Sequence, residues 1–178
     1  MPYVHSTGAV VHYLTQPACD RCPVGTPCVV FLHGGGGSAY VWNHQLPFFA
    51  ASGWYAVAIS LRGWGQSRLA LDDPELFSSE YLAEDVVAVL DRVGAPTAAV
   101  VGHSIGGFSC ARVAVEFPTR VSHIVFSNTF YGLVDESDDV PFAGRWVSRY
   151  VARGQGASDL EHGPGRDDLA LMVNCTAD

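Results

Sequence analysis

The sequence predicts an α/β fold, a mostly parallel sheet with helices on both faces. Short, continuous apolar runs alternate along the chain with segments of helical periodicity, a pattern typical of parallel strands covered by helices. Three of the apolar runs lead directly into sequence that contains glycine, where tight connections are expected. Hydrophobic residues make up 48% of the 178 residues and charged residues 16%, so the chain can bury a sizeable core.

Two buried strands are predicted in the first part of the chain. The run Cys28–Leu32 is apolar throughout and contains β-branched and aromatic residues, which favours a strand buried on both faces. Glycines fill positions 34–37, and their backbone entropy favours a loop over His33–Ser38 rather than a regular element. The second apolar run, Trp54–Ile59, predicts the next strand, and Ser60–Ser67 forms a turn-rich connection after it.

The middle of the chain predicts two helices and two further strands. Apolar residues recur at helical spacing between Tyr81 and Val93. Gly94 follows as a stop signal, and Pro118 ends a second predicted helix in the same way. In order, the predicted elements are a helix at 81–93, a strand at 98–101, a helix at 108–117 and a strand at 121–126.

Composition excludes several classes of function. The ten basic residues are all arginine, so chemistry that needs a lysine amine is absent, including the phosphate-binding lysine of a P-loop and a Schiff base to pyridoxal phosphate. The net charge is −8 and the arginines are scattered, which argues against a nucleic-acid partner. We find no signal-peptide pattern and no apolar run long enough for a membrane span, and we therefore expect a cytoplasmic protein.

The five cysteines do not indicate a disulfide framework, because their number is odd and their spacing irregular. Cys19 and Cys22 have a spacing seen in metal and redox sites, but they lie among prolines and glycine without a second ligand pair. A loop with incidental thiols is the simpler interpretation. We expect no metal and no cofactor.

The strongest functional motif is Gly102-His103-Ser104-Ile105-Gly106, placed between a predicted strand and a predicted helix. In a G-x-S-x-G turn the chain reverses so tightly that side chains two residues on either side of the serine would collide, which explains Gly102 and Gly106. The turn exposes the Ser104 hydroxyl at the N-terminus of a helix, where developing negative charge is favoured. Ser104 is therefore the candidate nucleophile.

Together with two further motifs, this elbow resembles the α/β-hydrolase fold, in the branch of serine hydrolases with a cap. His33-Gly34-Gly35 follows one strand, and the stretch from Arg62 to Ser67 follows the next. The resemblance covers about residues 8–130. It implies that 1–130 form the N-terminal part of the hydrolase core and that 131–178 begin a helical cap or lid that is incomplete here.

By resemblance, the chemistry is acyl transfer to Ser104 from a small ester, lactone or similar activated carbonyl compound. The backbone N–H groups of Gly35 and Ile105 would form the oxyanion hole, and a glycine loop lets the backbone approach the substrate oxygen. Epoxide and haloalkane hydrolases of this scaffold use an aspartate nucleophile, so Ser104 argues against both activities. Carbon–carbon bond hydrolases, enol-lactonases and perhydrolases stay open.

Two departures from the family pattern are visible. Ser60 stands where the family often has an aspartate before the Arg-Gly-x-Gly-x-Ser stretch, so a support expected for Arg62 is missing. The triad acid and histidine of the family lie on loops after later strands, which we expect beyond residue 178; the chain would then be a fragment with little activity of its own. Of the histidines after Ser104, we expect His123 to be packed in the core and His162 to lie in the cap, and a triad of His162 with Asp135, Asp138 or Asp139 is a weak alternative.

Two other classes of function are left as alternatives. A non-catalytic protein could keep the scaffold and bind a small hydrophobic molecule. The glycine loop could also bind a dinucleotide phosphate, but the usual G-x-G-x-x-G pattern is not met, and Ser60 stands where an acidic residue would contact the ribose.

Overall fold

A computed structural model describes residues 2–18, 25–70, 74–77, 79–129 and 170–173. Its strands are β1 (Tyr3–Ser6), β2 (Ala9–Gln16), β3 (Cys28–Leu32), β4 (Tyr55–Ile59), β5 (Arg68–Leu69), β6 (Ala98–His103), β7 (Val121–Ser127) and β8 (Ala170–Val173). The α-helices are α1 (Gln45–Ala51), α2 (Ser79–Val93) and α3 (Ile105–Glu116). Short 3-10 helices lie at Ala39–Trp42, Pro74–Phe77 and Pro118–Arg120.

These strands form one mixed sheet in the order β1-β2-β4-β3-β6-β7-β8, with β5 paired to β2. From β4 to β8 every neighbouring pair is parallel, whereas β1, β2 and β5 add to one side in antiparallel pairing. Chain order and sheet order differ because each parallel neighbour is reached through a crossover. The prediction of a mostly parallel α/β sheet is confirmed.

Alternate residues of the central strand face two separate hydrophobic clusters. Cys28, Val30 and Leu32 of β3 join the cluster that includes residues of α2 and α3. Val29 and Phe31 join a smaller cluster on the other face, to which α1 contributes Leu46, with Phe49 packed against it. Because β3 is buried on both faces, its sequence is apolar without alternation. Helices therefore cover both faces, as predicted.

The helix that follows the serine elbow begins earlier than the sequence suggests. Periodicity predicts a helix from Phe108, whereas α3 begins at Ile105 and includes Gly106 and Gly107. Glycine has a low helix propensity, so the sequence pattern favours a loop at these two positions. Both glycines are buried, and close packing in the folded chain outweighs that preference.

Four strands were not predicted, namely β1, β2, β5 and β8. β1 has four residues and β5 only two, too few for a clear periodic pattern. β8 lies within the segment expected to form the cap and pairs in parallel with β7, although further strands were expected only beyond residue 178. The remainder of the expected cap, with His162 and Asp135, Asp138 and Asp139, lies outside the described residues, as do Cys19 and Cys22.

Candidate active site

Three motif-bearing loops meet at one edge of the sheet. The glycine loop His33–Ser38 follows β3, the loop Ser60–Ser67 follows β4, and the turn at Ser104 follows β6. Since β4, β3 and β6 are adjacent and parallel, their carboxyl ends lie side by side. Ligands of open α/β sheets bind at this edge. The topology therefore brings together the three motifs that are separate in the sequence.

Ser104 has a strained backbone conformation. Its φ is 52° and its ψ is −119°, a combination that is ordinarily left to glycine. Residues held in such regions cost on the order of 1–3 kcal/mol and occur preferentially at active sites. The strain predicted from the G-x-S-x-G spacing is thus present at the candidate nucleophile.

The glycines of the elbow are explained by the space around them. A Cβ on Gly102 would collide with the carbonyl oxygen of Gly106 and lie 2.5 Å from the Cys110 Sγ. A Cβ on Gly106 would lie 2.5 Å from the carbonyl oxygen of Leu32 in β3. Real Cβ atoms essentially never approach other atoms this closely. The prediction that only hydrogen is tolerated at these two positions is confirmed.

The main chain of Ser104 is fixed on both sides. Its N–H donates to the carbonyl oxygen of Ser127 at 3.0 Å. Its carbonyl oxygen accepts hydrogen bonds from the Gly107 N–H and the Thr129 hydroxyl, both at 2.9 Å. The strained conformation is therefore maintained by neighbouring backbone and by one hydroxyl group, and the Ser104 side chain makes none of these bonds.

The glycine loop packs directly against the nucleophile. A Cβ on Gly34 would lie 3.1 Å from the Ser104 Cβ and 2.7 Å from the His103 Nδ1. The His103 ring therefore lies against the loop. Gly35 is the next residue, and the Trp64 indole is 3.6 Å from the position of its Cβ. Glycine at these positions allows the backbone to reach the serine.

His33 holds the loop through both ring nitrogens. The Leu61 N–H donates to its Nε2 at 2.9 Å, so Nδ1 carries the proton and donates to the Gly34 carbonyl oxygen at 2.6 Å. Burial lowers the pKa of His33, although the bond to Gly34 opposes this effect, and the neutral ring suits both contacts. His33 therefore orients the start of the glycine loop through both ring nitrogens.

Ser60 departs from the family pattern, yet it is a second attachment point of the loop. Its Oγ accepts a hydrogen bond from the Ala39 N–H at 3.0 Å and lies 3.1 Å from the His12 Nδ1. The Ser67 hydroxyl donates to the Ser60 carbonyl oxygen at 2.6 Å and accepts from the His12 N–H at 2.8 Å. His12, Ser60 and Ser67 are all buried, and no local pattern in the sequence identifies this network.

Arg62 does not lack support, despite the missing aspartate. Its guanidinium forms a bidentate pair with Asp85 of α2, from Nε at 2.8 Å and from Nη2 at 2.6 Å. The remaining N–H groups donate to the carbonyl oxygens of Thr7, Leu76 and Tyr81. All five donors of a fully buried arginine are therefore satisfied.

The predicted site residues lie together at the carboxyl edge. Ser104 forms the turn before α3, Ile105 is the first residue of that helix, and Gly35 lies in the loop that packs on the serine. N–H groups in the first turn of a helix have no partner within it, which suits the role predicted for Ile105. The oxyanion assignments of Gly35 and Ile105 stay predictions. His123 is exposed rather than packed in the core, because its side of β7 is not covered by a described element.

Among the described residues, no cluster of three or more histidine, cysteine or acidic side chains is arranged to hold a metal ion. Within the same part of the chain, no helix is long and apolar enough to cross a membrane.

Comparison with known proteins identifies the family. The model of the alpha/beta hydrolase fold family matches residues 27–160. The chain belongs to this family. As an α/β hydrolase it is 40% identical over 121 residues to epoxide hydrolase B of Mycobacterium tuberculosis, an alignment that covers 68% of this chain and 31% of the relative. It is also 33% identical over 103 residues to bifunctional epoxide hydrolase 2 of Sus scrofa, covering 58% of this chain and 18% of that protein.

Among solved structures, epoxide hydrolase A from Mycobacterium thermoresistibile superposes on this α/β hydrolase with a TM-score of 0.62. The sequence identity is 30%, and the match covers 70% of this chain and 37% of that one. The chain thus spans about a third or less of the length of the M. tuberculosis and Sus scrofa relatives.

Proposed function

We propose that the protein is a serine hydrolase of small esters, lactones or similar activated acyl compounds. The observation that carries this proposal is Ser104, which takes the strained conformation of a nucleophile at the end of β6 while the glycine loop packs against it. In the proposed reaction, the Ser104 hydroxyl oxygen attacks the acyl carbon and its proton passes to a general base. The N–H groups of Gly35 and Ile105 donate to the resulting oxyanion. Loss of the alcohol leaves an acyl-enzyme, which water hydrolyses.

The names of the relatives favour epoxide hydrolysis as a second candidate. The chemistry of the nucleophile argues against it here. A carboxylate that opens an epoxide forms an ester, and water can then attack the acyl carbon of that ester to release the diol. A serine that opened an epoxide would form an ether, which has no acyl carbon for water to attack. Ser104 therefore supports acyl substrates over epoxides.

The position of β8 bears on the partner of the nucleophile. The resemblance places the triad acid on a loop after a later strand, and β8 pairs in parallel with β7. The carboxyl end of β8 therefore lies at the sheet edge that carries Ser104. The triad acid and histidine stay expected on loops beyond residue 178.

The proposal is tested by labelling the full-length protein with a fluorophosphonate, which reacts with activated serines. We expect one adduct on the peptide that contains Ser104, and none in Ser104→Ala. Ser109→Ala is the matched control, because Ser109 lies on the same helix and its buried hydroxyl has no hydrogen-bond partner among the described residues.

Substrate preference is measured in parallel with p-nitrophenyl acetate and styrene oxide. Turnover of the ester that is lost in Ser104→Ala supports acyl chemistry. Turnover of styrene oxide alone would refute the proposal in favour of the second candidate. Saturable binding of a small apolar ligand, without labelling or turnover of either compound, would instead favour a non-catalytic binding protein.

A further inference from the structure

The two ends of the glycine loop are attached to consecutive residues of the segment after β4. At the start of the loop, the Leu61 N–H donates to the His33 Nε2 at 2.9 Å. Just beyond its end, the Ala39 N–H donates to the Ser60 Oγ at 3.0 Å. Residues 60 and 61 therefore hold both ends of the loop in position.

We propose that Ser60 is a positioning residue for the oxyanion hole, acting through Ala39 on the glycine loop. The inference rests on the proposed function and extends it to a residue that does not touch substrate. Ser60 departs from the aspartate that the family often has at this position, yet its hydroxyl oxygen accepts the N–H group at the end of the loop.

The peptide group between Gly34 and Gly35 shows why the ends of the loop matter. The carbonyl oxygen of Gly34 accepts from the His33 Nδ1 and from the Gly37 N–H, at 2.6 and 3.1 Å. A trans peptide is planar, so its N–H points opposite to its carbonyl group. The described chain contains no cis peptide bond. The direction of the Gly34 carbonyl therefore sets the direction of the Gly35 N–H, the proposed oxyanion donor.

Movement at Ala39 would act on this peptide group, because only three residues lie between Gly35 and Ala39. Gly37 supplies one of the two bonds to the Gly34 carbonyl and lies two residues before Ala39. Glycines at 34–37 have no Cβ to restrain them, so the loop depends on its attachment points for a fixed conformation. Loss of the Ser60 acceptor releases the end nearer to Gly37.

The surroundings of Ser60 hold its hydroxyl in place. His12 lies between the rings of Tyr3 and Tyr40, with ring centroids 5.3 and 5.8 Å away. With its Nδ1 unprotonated, His12 accepts a hydrogen bond from the Ser60 hydroxyl, and the Ser60 oxygen keeps lone pairs for the Ala39 N–H. Gly65 closes the other side, since a Cβ there would lie 2.9 Å from the Ser60 Oγ. Ser60 is fully buried, so water does not replace it as the acceptor.

The experiment compares Ser60→Ala, Ser60→Cys and the control Ser109→Ala in the full-length protein. Alanine deletes the acceptor, whereas cysteine fills the space with a slightly larger and weaker sulfur acceptor. The cysteine variant keeps the test informative if the alanine variant does not fold. We expect Ser60→Ala to lower kcat for p-nitrophenyl acetate about tenfold with KM within about twofold, because an oxyanion donor acts mainly in the transition state. Ser60→Cys should give an intermediate loss.

Hydrogen exchange of the peptide that spans 33–39 gives a readout independent of activity. We expect exchange of this segment to become faster in both Ser60 variants and to stay unchanged in Ser109→Ala. Unchanged exchange, or a rise in KM at constant kcat, would overturn the positioning role. If the wild-type protein is not labelled by the fluorophosphonate, the proposed function is refuted. Faster exchange in the Ser60 variants would still show that Ser60 holds the glycine loop.

Discussion

Asp85→Asn is expected to be strongly destabilising, because it removes the only charged partner that the described contacts give to a buried arginine. The side chains of Arg62 and Asp85 are 0% and 2% exposed, and two of the five guanidinium N–H groups donate to this carboxylate. Asparagine keeps one oxygen acceptor but places an NH₂ group against a guanidinium donor. Breaking a buried ion pair by removing one partner costs about 3–5 kcal/mol.

The cost arises from the arginine that is left behind rather than from a favourable ion pair. Burial raises the pKa of Asp85, while its bonds and charge interaction with Arg62 oppose that rise. Because the folded state holds the Asp85 proton more tightly than the unfolded state, ionisation of this carboxyl is a cost of folding above its ordinary pKa. The variant removes that cost but leaves an unpaired guanidinium in the interior.

The assay is thermal and urea unfolding of the variant, followed by circular dichroism. At about 2–4 °C per kcal/mol for a chain of this size, we expect the midpoint to fall by about 6–20 °C. Asp91→Asn is the control, because Asp91 also lies on α2 and pairs with an arginine at 2.7 Å, but its side chain is 64% exposed. Such a pair contributes less than about 1 kcal/mol. Equal losses for the two variants would refute the reasoning.

Three further predictions concern packing, pH and thiol reactivity. Gly106→Ala places a Cβ 2.5 Å from the Leu32 carbonyl oxygen, so we expect a loss of about 1–3 kcal/mol or more in urea unfolding, and wild-type stability would contradict the packing described. Burial lowers the pKa of both His12 and His33, so the unfolded chain binds more protons below about pH 6.5 and the urea midpoint should fall from pH 7.5 to 5.5; a rising midpoint would disprove this sign. Burial raises the pKa of Cys28 to about 12, so iodoacetamide at pH 8 should label it only after unfolding, as peptide mass spectrometry would show; rapid native labelling would contradict its burial.

The sequence predicted the parts of the fold that depend on near neighbours. β3 occupies the predicted positions, and α2 begins two residues before the predicted start and ends at the predicted residue. The elbow was predictable in part for the same reason, since the atom that a Cβ on Gly102 would meet belongs to Gly106, four positions away. The atom that a Cβ on Gly106 would meet belongs to Leu32 of β3, which is distant in the sequence. Helical spacing and local steric limits are visible in a single sequence.

Pairing between distant positions was not predictable. The partner of Arg62 lies 23 residues later on a helix whose charged residues all resemble ordinary surface positions in the sequence. Ser60 accepts a hydrogen bond from the N–H of Ala39, 21 positions earlier. Every residue except proline has a backbone N–H, so the sequence does not indicate which one a side chain will bind. β5 and β8 are short, and their pairing depends on strands elsewhere in the sheet. These features emerge only from the assembled fold.

The hydrogen bonds that hold Ser104 in place do not depend on its side chain. The bonds from Ser127, Gly107 and Thr129 reach only its amide and carbonyl groups. A different side chain at this position would keep these backbone hydrogen bonds and its place before the first residue of α3. The shape of the elbow therefore does not determine which nucleophile it presents.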